Sequence, residues 1–226
     1  MDYVMVGRLI RKEWHFSKIM LVVLVTAGVA MLIVSAVARN LDSSLASFIS
    51  LIMFFLVFNL MAWTPLATIG SERSEQTLAF LVSLPISIKE YTAAKIIASV
   101  VIFSAGWLLL TAGAIGMNLL DPSIPNAYIP LTLIVLVQAF VLFCLFLAVT
   151  LVVESAVWTM VVGIVGNIIF WLSFALIGVT PNMGVLGDAS AAWDAVSWMM
   201  YAQIAAIPVI LGLTFALQSR KTDFLR

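Results

Sequence analysis

Few side chains in this sequence carry the chemistry of catalysis or metal binding. It has one histidine, His15, and one cysteine, Cys144, so neither a histidine dyad nor a thiolate cluster can form within the chain. It has no GxxxxGK[ST] segment, and therefore no P-loop that would hold the phosphates of ATP. An intramembrane enzyme would need a Ser–His pair, paired carboxylates or a metal cluster. We therefore predict that the chain is not itself an enzyme and that it binds no metal or cofactor.

Amide and hydroxyl side chains that interrupt apolar segments are the remaining candidates for contact with a ligand. They are Asn59, Thr64, Thr68, Gln138, Asn167 and Gln203. Polar groups inside a membrane protein either line a substrate path or form hydrogen bonds between helices, and the second use is the commoner one. As candidates for a substrate path we select Asn59, Thr64, Gln138 and Asn167. The alternative for each is a helix–helix contact.

The composition places these side chains in a membrane protein. Of 226 residues, 64% are hydrophobic and 10% charged, and the mean hydropathy is +1.18, far more apolar than a soluble domain. The apolar runs are continuous instead of alternating, which favours helices over the strands of a barrel. We predict an all-α integral membrane protein, a single transmembrane domain over 1–226, with six spans at 19–38, 45–69, 96–117, 129–153, 156–178 and 199–217.

One charged residue divides the longest apolar stretch. Between residues 129 and 178 the sole charge is Glu154, and a single helix of that length would be about 75 Å long at 1.5 Å per residue. Because the hydrocarbon core is about 30 Å thick, the stretch must contain two spans joined by a turn at Glu154-Ser155. Glu154 is then a solvated turn residue; the alternative is a functional carboxylate within the membrane.

Lysine and arginine set the orientation of the spans. With six spans, one side of the membrane receives ten basic residues and the other side receives Arg39 alone; the ten are Arg8, Arg11, Lys12, Lys18, Arg73, Lys89, Lys95, Arg220, Lys221 and Arg226. By the positive-inside rule both termini and the central loop are cytoplasmic. Residues 3–17 are predicted to form a basic amphipathic helix in the headgroup layer, and residues 179–198 a short outer helix that lies on the surface or re-enters the membrane.

The central loop, residues 70–95, reads GSERSEQTLAFLVSLPISIKEYTAAK. Its acidic first turn and the apolar stripe that follows predict a short helix at 71–84, which Pro85 ends. Ser87 and Glu90 have the spacing of a capping box, so a new helix is expected to begin there and to continue through Lys95 into the third span. A short amphipathic helix between two spans is suited to transmitting movement from a soluble partner. The alternative is a plain surface helix that packs on the lipid headgroups.

This loop resembles that of ABC-2-type transporter permeases. The resemblance rests on Glu72, Glu75, Thr77-Leu78, Phe80-Leu81, Leu84-Pro85-Ile86-Ser87, Glu90 and Lys95, together with Leu9-Ile10-Arg11-Lys12-Glu13 before the first span. The family often has Gly before Thr-Leu and a basic residue after Pro-x-Ser, where this chain has Gln76 and Ile88. The six spans agree as well, so the resemblance covers the whole chain.

The resemblance implies a half-transporter of the bacterial inner membrane. Two such subunits, identical or paralogous, would face each other, and each would contact a separate ATPase subunit that binds ATP and Mg²⁺. The implied contact with that subunit is the predicted helix at 71–84, which we term the coupling helix. The contact residues are Glu72, Arg73, Glu75, Gln76, Thr77, Leu78, Leu81, Leu84 and Pro85. The cargo expected is an amphipathic or hydrophobic peptide, antibiotic or lipid, and no nucleic-acid partner is expected. The alternatives are a secondary transporter or channel and a membrane scaffold that transports nothing.

Overall fold

The computed structural model of the chain describes residues 3–38, 87–120, 126, 128–153, 155–179 and 189–220. Within these ranges every regular element is an α-helix, and no strand occurs there. The helices are α1 (Tyr3–Ala38), α2 (Ile88–Leu120), α3 (Tyr128–Val152), α4 (Ala156–Val179) and α5 (Ala189–Gln218). The all-helical prediction therefore holds for the described residues, and the predicted span at 45–69 and the predicted coupling helix lie outside them.

Three of the helices are long and apolar enough to cross a membrane, judged by length and composition. The qualifying segments are Lys89–Leu120, Ile129–Val152 and Val196–Gln218, and shorter apolar segments occur at Leu21–Val34 and Val157–Ile169. These helices indicate a membrane-embedded protein, because lipid satisfies the apolar side chains on their outer faces while the helix satisfies its own backbone. Large apolar side chains are indeed exposed along α4, among them Val157, Trp158, Ile164 and Ile168.

The first helix joins two segments that the sequence pattern separates. A basic interfacial helix at 3–17 and a span at 19–38 were predicted, whereas α1 runs without a break from Tyr3 to Ala38. Neither glycine nor proline occurs between Gly7 and Gly28, so nothing in the chain interrupts the backbone hydrogen bonds at the change from polar to apolar residues. At 1.5 Å per residue, α1 is about 54 Å long, well beyond the 30 Å of hydrocarbon.

The last helix differs from the prediction in the same way. The short outer helix ending near Trp198 and the span at 199–217 form one helix, α5, from Ala189 to Gln218. The first helix breaker after Ala189 is Pro208, and the helix continues through it. A change of polarity along the sequence therefore does not mark where a helix ends.

The predicted turn between the fourth and fifth spans agrees with the structure. Helix α3 ends at Val152, and α4 begins at Ala156. Ser155 starts α4: its Oγ accepts a hydrogen bond from the backbone N–H of Trp158 at 3.5 Å, and its carbonyl oxygen accepts one from the N–H of Thr159. Glu154 itself lies outside the described residues.

Helix α3 lies at the centre of the described bundle and packs against α2, α4 and α5, while α1 packs on α2. Helices α2 and α3 are antiparallel, since Phe103 stacks on Phe143 and the indole N–H of Trp107 donates to the carbonyl oxygen of Leu136. Helices α3 and α5 are parallel: Ile134 packs with Val196, and further along both helices, one turn on α3 and two turns on α5, Gln138 meets Gln203.

An aromatic cluster forms the core between α2 and α3. The rings of Phe103 and Phe143 stack with centroids 3.9 Å apart, and Phe140 meets both Phe103 and Trp107 edge to face at 5.2 and 5.5 Å. Buried side chains from α1, α2 and α3 complete the core, and they are Leu24, Leu110, Cys144, Leu147 and Leu151.

Two glycines allow α1 and α2 to approach closely. A Cβ atom at Gly28 would lie 2.6 Å from Cδ2 of Leu110, and one at Gly113 would collide with Leu32. Each glycine thus receives a leucine of the opposite helix. The two contacts also show that α1 and α2 run parallel, because Gly28 precedes Leu32 on one helix as Leu110 precedes Gly113 on the other.

We expect Gly28→Leu to destabilise the protein by about 1–3 kcal/mol, the usual cost of overpacking a filled interface. The matched control is Gly116→Leu, since a Cβ at Gly116 meets nothing within 4 Å. Both variants replace a helical glycine, so the gain in helix propensity is the same in each. Unfolding titrations in mixed micelles should separate the two variants, and equal stability of both would contradict the close approach of α1 and α2.

Candidate functional site

All residues of the predicted partner contact lie outside the described residues. This is true of Glu72, Arg73, Glu75, Gln76, Thr77, Leu78, Leu81, Leu84 and Pro85, and also of Asn59 and Thr64. The described chain resumes at Ser87, at the start of α2. The site is therefore built from two groups of polar residues that the structure does describe: one at the start of α2, and one half-way along α3 and α5.

The predicted capping box at the start of α2 is confirmed. The backbone N–H of Ser87 donates to Oε2 of Glu90 at 3.1 Å, and the N–H of Glu90 donates to Oγ of Ser87 at 3.3 Å. The carbonyl oxygen of Ser87 also accepts a hydrogen bond from the N–H of Tyr91. This reciprocal pair satisfies donors that a helix start leaves unpaired, so the beginning of α2 is well defined immediately after the central loop.

We expect Ser87→Ala to lower the free energy of unfolding by about 1 kcal/mol, because the N–H of Glu90 loses its acceptor. Ser87→Asp should restore most of the loss, since aspartate also caps helices well. Ser219→Ala is the control. Its hydroxyl donates to the carbonyl oxygen of Ala216 at the end of α5, so it caps no helix start. Chemical unfolding monitored by tryptophan fluorescence measures the difference, and an equal loss in both alanine variants would argue against the cap.

Six consecutive residues at the start of α2, which we term the buried polar segment (residues 90–95), are all buried. Six successive residues of a helix point in all directions around its axis, so protein encloses this segment on every side. Glu90, Thr92 and Lys95 are polar, and Lys95 is only 2% exposed. Charged side chains are seldom so fully buried, which distinguishes this segment from an ordinary solvated helix start.

The side chains of the buried polar segment interact with each other and with their surroundings. Nζ of Lys95 lies 5.9 Å from the centroid of the Tyr91 ring, at the outer limit of a cation–π contact. Glu90, Tyr91, Thr92 and Lys95 each make at least one further interaction besides these. At the same end of the bundle α3 and α5 bury Thr150, Thr214 and Gln218. A helix start held in this way moves with its surroundings, because burial of its charged groups is tolerated only with their partners in place.

The second group is a pair of amides between α3 and α5. Nε2 of Gln203 donates to Oε1 of Gln138 at 2.7 Å, which joins residues 65 positions apart in the sequence. At 1.5 Å per residue, Gln138 lies about 21 Å from the end of its helix at Val152, and Gln203 lies about 23 Å from the end of its helix at Gln218. The pair is thus close to the middle of both helices, the depth at which a bilayer would hold the least water.

Apolar side chains flank this amide pair along the seam between α3 and α5. On one side Leu131, Ile134, Val196 and Met199 pack together. On the other side Ile207, Ile210 and Leu211 of α5 pack against the aromatic and aliphatic core. The Gln138–Gln203 hydrogen bond therefore has apolar neighbours above and below it, where a hydrogen bond is electrostatically stronger than in water.

The amide pair is satisfied only in part. Oε1 of Gln203 is buried and has no hydrogen-bond partner among the described residues. Gln138 accepts the hydrogen bond from Gln203 through its Oε1. One buried acceptor thus remains beside an existing hydrogen bond, at a depth where lipid offers no donor.

The other described candidate, Asn167, is on α4 and apart from this pair. Its Nδ2 donates to the carbonyl oxygen of Gly163 at 3.0 Å, within its own helix, and its Oδ1 is buried without a partner in the described part of the chain. Next to it, Gly166 allows close contact with Leu142 of α3. The structure therefore brings Gln138 together with Gln203, and it does not bring Asn167 to either.

Sequence reasoning did not single out Tyr91, Thr92 or Trp107. Tyr91 and Thr92 follow directly after the capping box, and their position between Glu90 and Lys95 is the one signal that would have found them. Trp107 gives no such signal, because its contact with Leu136 depends on how α2 packs against α3. Within the described ranges no group of three or more His, Cys, Asp or Glu side chains is arranged to hold a metal ion.

Comparison with known proteins identified no relative of this chain. A scan against protein-family models found no match to this chain, and comparisons with curated proteins and with solved structures found none either.

Proposed function

We propose that the chain is the permease subunit of an ATP-driven exporter of the ABC-2 type. In this proposal it crosses the bacterial inner membrane six times, with both termini in the cytoplasm. It moves an amphipathic or hydrophobic substrate outward, using ATP hydrolysed by a separate subunit that contacts the coupling helix. A second permease subunit, identical or paralogous, completes the pathway.

The observation that carries the proposal is the construction of α2. The helix begins with a capping box directly after the predicted coupling helix and continues without a break for 33 residues. Because the buried polar segment is enclosed on all sides, a displacement of the central loop would be passed to α2 as a whole. Helix α2 in turn packs on α1 and α3, so the same displacement reaches the rest of the bundle.

The direction of the helices supports the six-span arrangement. Helices α1 and α2 run parallel, as the Gly28–Leu110 and Gly113–Leu32 contacts require. Two parallel helices that both cross a membrane are separated by an odd number of further crossings, which is what a span at 45–69 would supply. Helices α2, α3, α4 and α5 then alternate in direction, so that Gln218, near the C-terminus, is on the same side as Tyr3.

The test is co-purification with an ATP-binding-cassette ATPase subunit encoded beside the gene for this chain. The two chains are co-expressed, extracted in detergent and reconstituted, and co-elution and ATP turnover are measured with and without the permease. A stable complex whose turnover differs from that of the free ATPase would support the proposal. Association without any change in turnover would favour the scaffold, and no association under any nucleotide condition would exclude this function for the chain.

A further inference from the structure

We propose that the outer face of α1 binds an anionic phospholipid, with the headgroup at Lys18 and the basic residues before it, and the acyl chains on the apolar side chains after it. The inference goes beyond the proposed function, because it concerns the lipid around the chain and requires only that α1 is embedded in a membrane. It is carried by the continuity of α1, by the exposure of its outer face and by the distribution of its charges.

The inner face of α1 is defined by its contacts with the bundle. Leu24 is 1% exposed and lies in the core, and Ala27 and Met31 pack against the same core. Gly28 and Leu32 make the close contacts with α2. At 100° per residue these five positions fall within about 140° of one another around the helix axis, so the rest of the circumference faces away from α2.

The outer face of α1 is apolar and exposed along the whole span. Its large apolar side chains are between 41% and 69% exposed, and they are Ile19, Val22, Val23, Val29, Ile33 and Val37. Around the helix axis these positions are centred opposite Leu24 and Gly28. In a membrane, acyl chains cover such side chains, because lipid tails are as apolar as they are. The outer face of α1 is therefore a surface for acyl chains.

Basic residues occupy the same outer face before Ile19. Traced back along the unbroken helix at 100° per residue, their positions all lie within about 80° of the centre of the exposed apolar face. They are Arg8, Arg11, Lys12 and Lys18. The side chain of Lys18 is exposed, and the sole acidic residue of α1, Glu13, has its position on the inner face. The outer face thus changes from basic to apolar after Lys18, and no acidic residue interrupts it.

This change from basic to apolar residues matches the chemistry of an anionic phospholipid. The polar layer on each side of the hydrocarbon is about 5–8 Å thick. At 1.5 Å per residue, Arg11 and Lys12 are about 10 Å from Lys18 along the axis, so all three lie within about one Debye length of a headgroup at this boundary. Acyl chains attached to that headgroup run beside Ile19 and Val22. A zwitterionic headgroup fits less well, because its cationic group is repelled by the same basic residues.

Native mass spectrometry of the full chain in detergent measures this binding directly. The probes are dioleoyl phosphatidylglycerol, which is anionic, and dioleoyl phosphatidylcholine, which has the same acyl chains and no net charge. We expect the first phosphatidylglycerol to bind at least about tenfold more tightly than the first phosphatidylcholine, since one basic residue near an anionic surface contributes about fivefold. Glycerol phosphate, which has the phosphate without the acyl chains, should not displace the bound lipid.

Variants test whether the outer face of α1 is the site. Lys18→Gln should weaken the binding of phosphatidylglycerol about fivefold and leave that of phosphatidylcholine unchanged, whereas Lys18→Arg should keep the preference. Adding Arg11→Gln and Lys12→Gln to Lys18→Gln should abolish the preference. The control is Lys89→Gln, which removes the same charge from an exposed lysine at the start of α2. The buried polar segment separates Lys89 from the exposed apolar side chains of α2, so this variant should bind both lipids as the unmodified chain does.

Each contrary result overturns the lipid site. Equal binding of the two lipids by the unmodified chain does so, and so does a preference that survives in the triple variant. An equal loss in Lys18→Gln and Lys89→Gln would show that net charge alone attracts the lipid. Displacement by glycerol phosphate would show a site for anions that makes no use of the acyl chains. None of these results affects the proposed function, which is tested with the ATPase subunit, so the two proposals can fail separately.

Discussion

Leu78→Asp combined with Leu81→Asp is expected to abolish co-elution of the ATPase subunit. The two leucines lie on the apolar stripe of the predicted coupling helix, three residues apart and therefore on one face. Burying a leucine side chain contributes about 1.5–3 kcal/mol, and each aspartate would in addition bring a charge into the contact. Loss of both leucines should weaken the association by at least about a thousandfold, since each 1.4 kcal/mol is a factor of ten.

The control for this prediction is Ser83→Asp. Residue 83 would lie on the opposite face of the same helix, so the variant adds one negative charge to the loop without touching the apolar stripe. Co-elution on a sizing column in detergent is measured for all three forms, with folding of the permease checked by its retention volume alone. If the double variant retained the ATPase, the coupling-helix assignment would be wrong.

The second large effect is expected from Phe143→Ala. The Phe143 ring is 1% exposed, stacks on Phe103 at 3.9 Å and lies in the core that α1, α2, α3 and α5 share. Removing a buried phenylalanine costs about 3–5 kcal/mol in soluble proteins. In a membrane the helices separate into lipid that is as apolar as the core, so the transfer part of that cost is smaller while the lost packing remains. We expect a destabilisation of about 3 kcal/mol, including the loss of the stacked aromatic pair.

Leu172→Ala on α4 provides the comparison for Phe143→Ala. Its side chain is 57% exposed, so lipid can occupy the space that the substitution opens. We expect a change within about 0.5 kcal/mol, as for other surface substitutions. Both variants are unfolded by titration with a denaturing detergent and followed by circular dichroism. Similar midpoints for the two would contradict the arrangement of α2 against α3 described above.

The helical segments could be predicted because their signals are local. Continuous apolar runs predict helices, the spacing of Ser87 and Glu90 predicts a capping box, and the charge at Glu154 predicts a turn. The structure has the helices and the capping box. Helix α3 ends at Val152 and α4 begins at Ala156, as the predicted turn requires. The ends of α1 and α5 could not be predicted in the same way. Apolar length measures how much of a helix lies in lipid, whereas continuity of a helix depends on glycine and proline and on the packing of its ends.

The candidate site shows the same limit. Gln138 was a candidate from its polar side chain in an apolar run, but its partner depended on the rotation and register of α3 against α5. A shift of one residue in either helix would turn a glutamine by about 100° and remove the pairing. The burial of Glu90 and Lys95 was likewise not predicted, since charged residues next to a loop are typically solvated and only the surrounding helices enclose them.

The sequence by itself thus determined a chain of long apolar helices with a capped start at Ser87, because helix formation and solubility in lipid depend on neighbouring residues. Tertiary structure alone decided which side chains meet: Gln138 with Gln203, Phe103 with Phe143, and Gly28 with Leu110. In an apolar environment almost any apolar face packs adequately against another, so composition does not select the partner. The choice comes from close fit at glycines and aromatic rings and from the few polar groups that require a hydrogen bond.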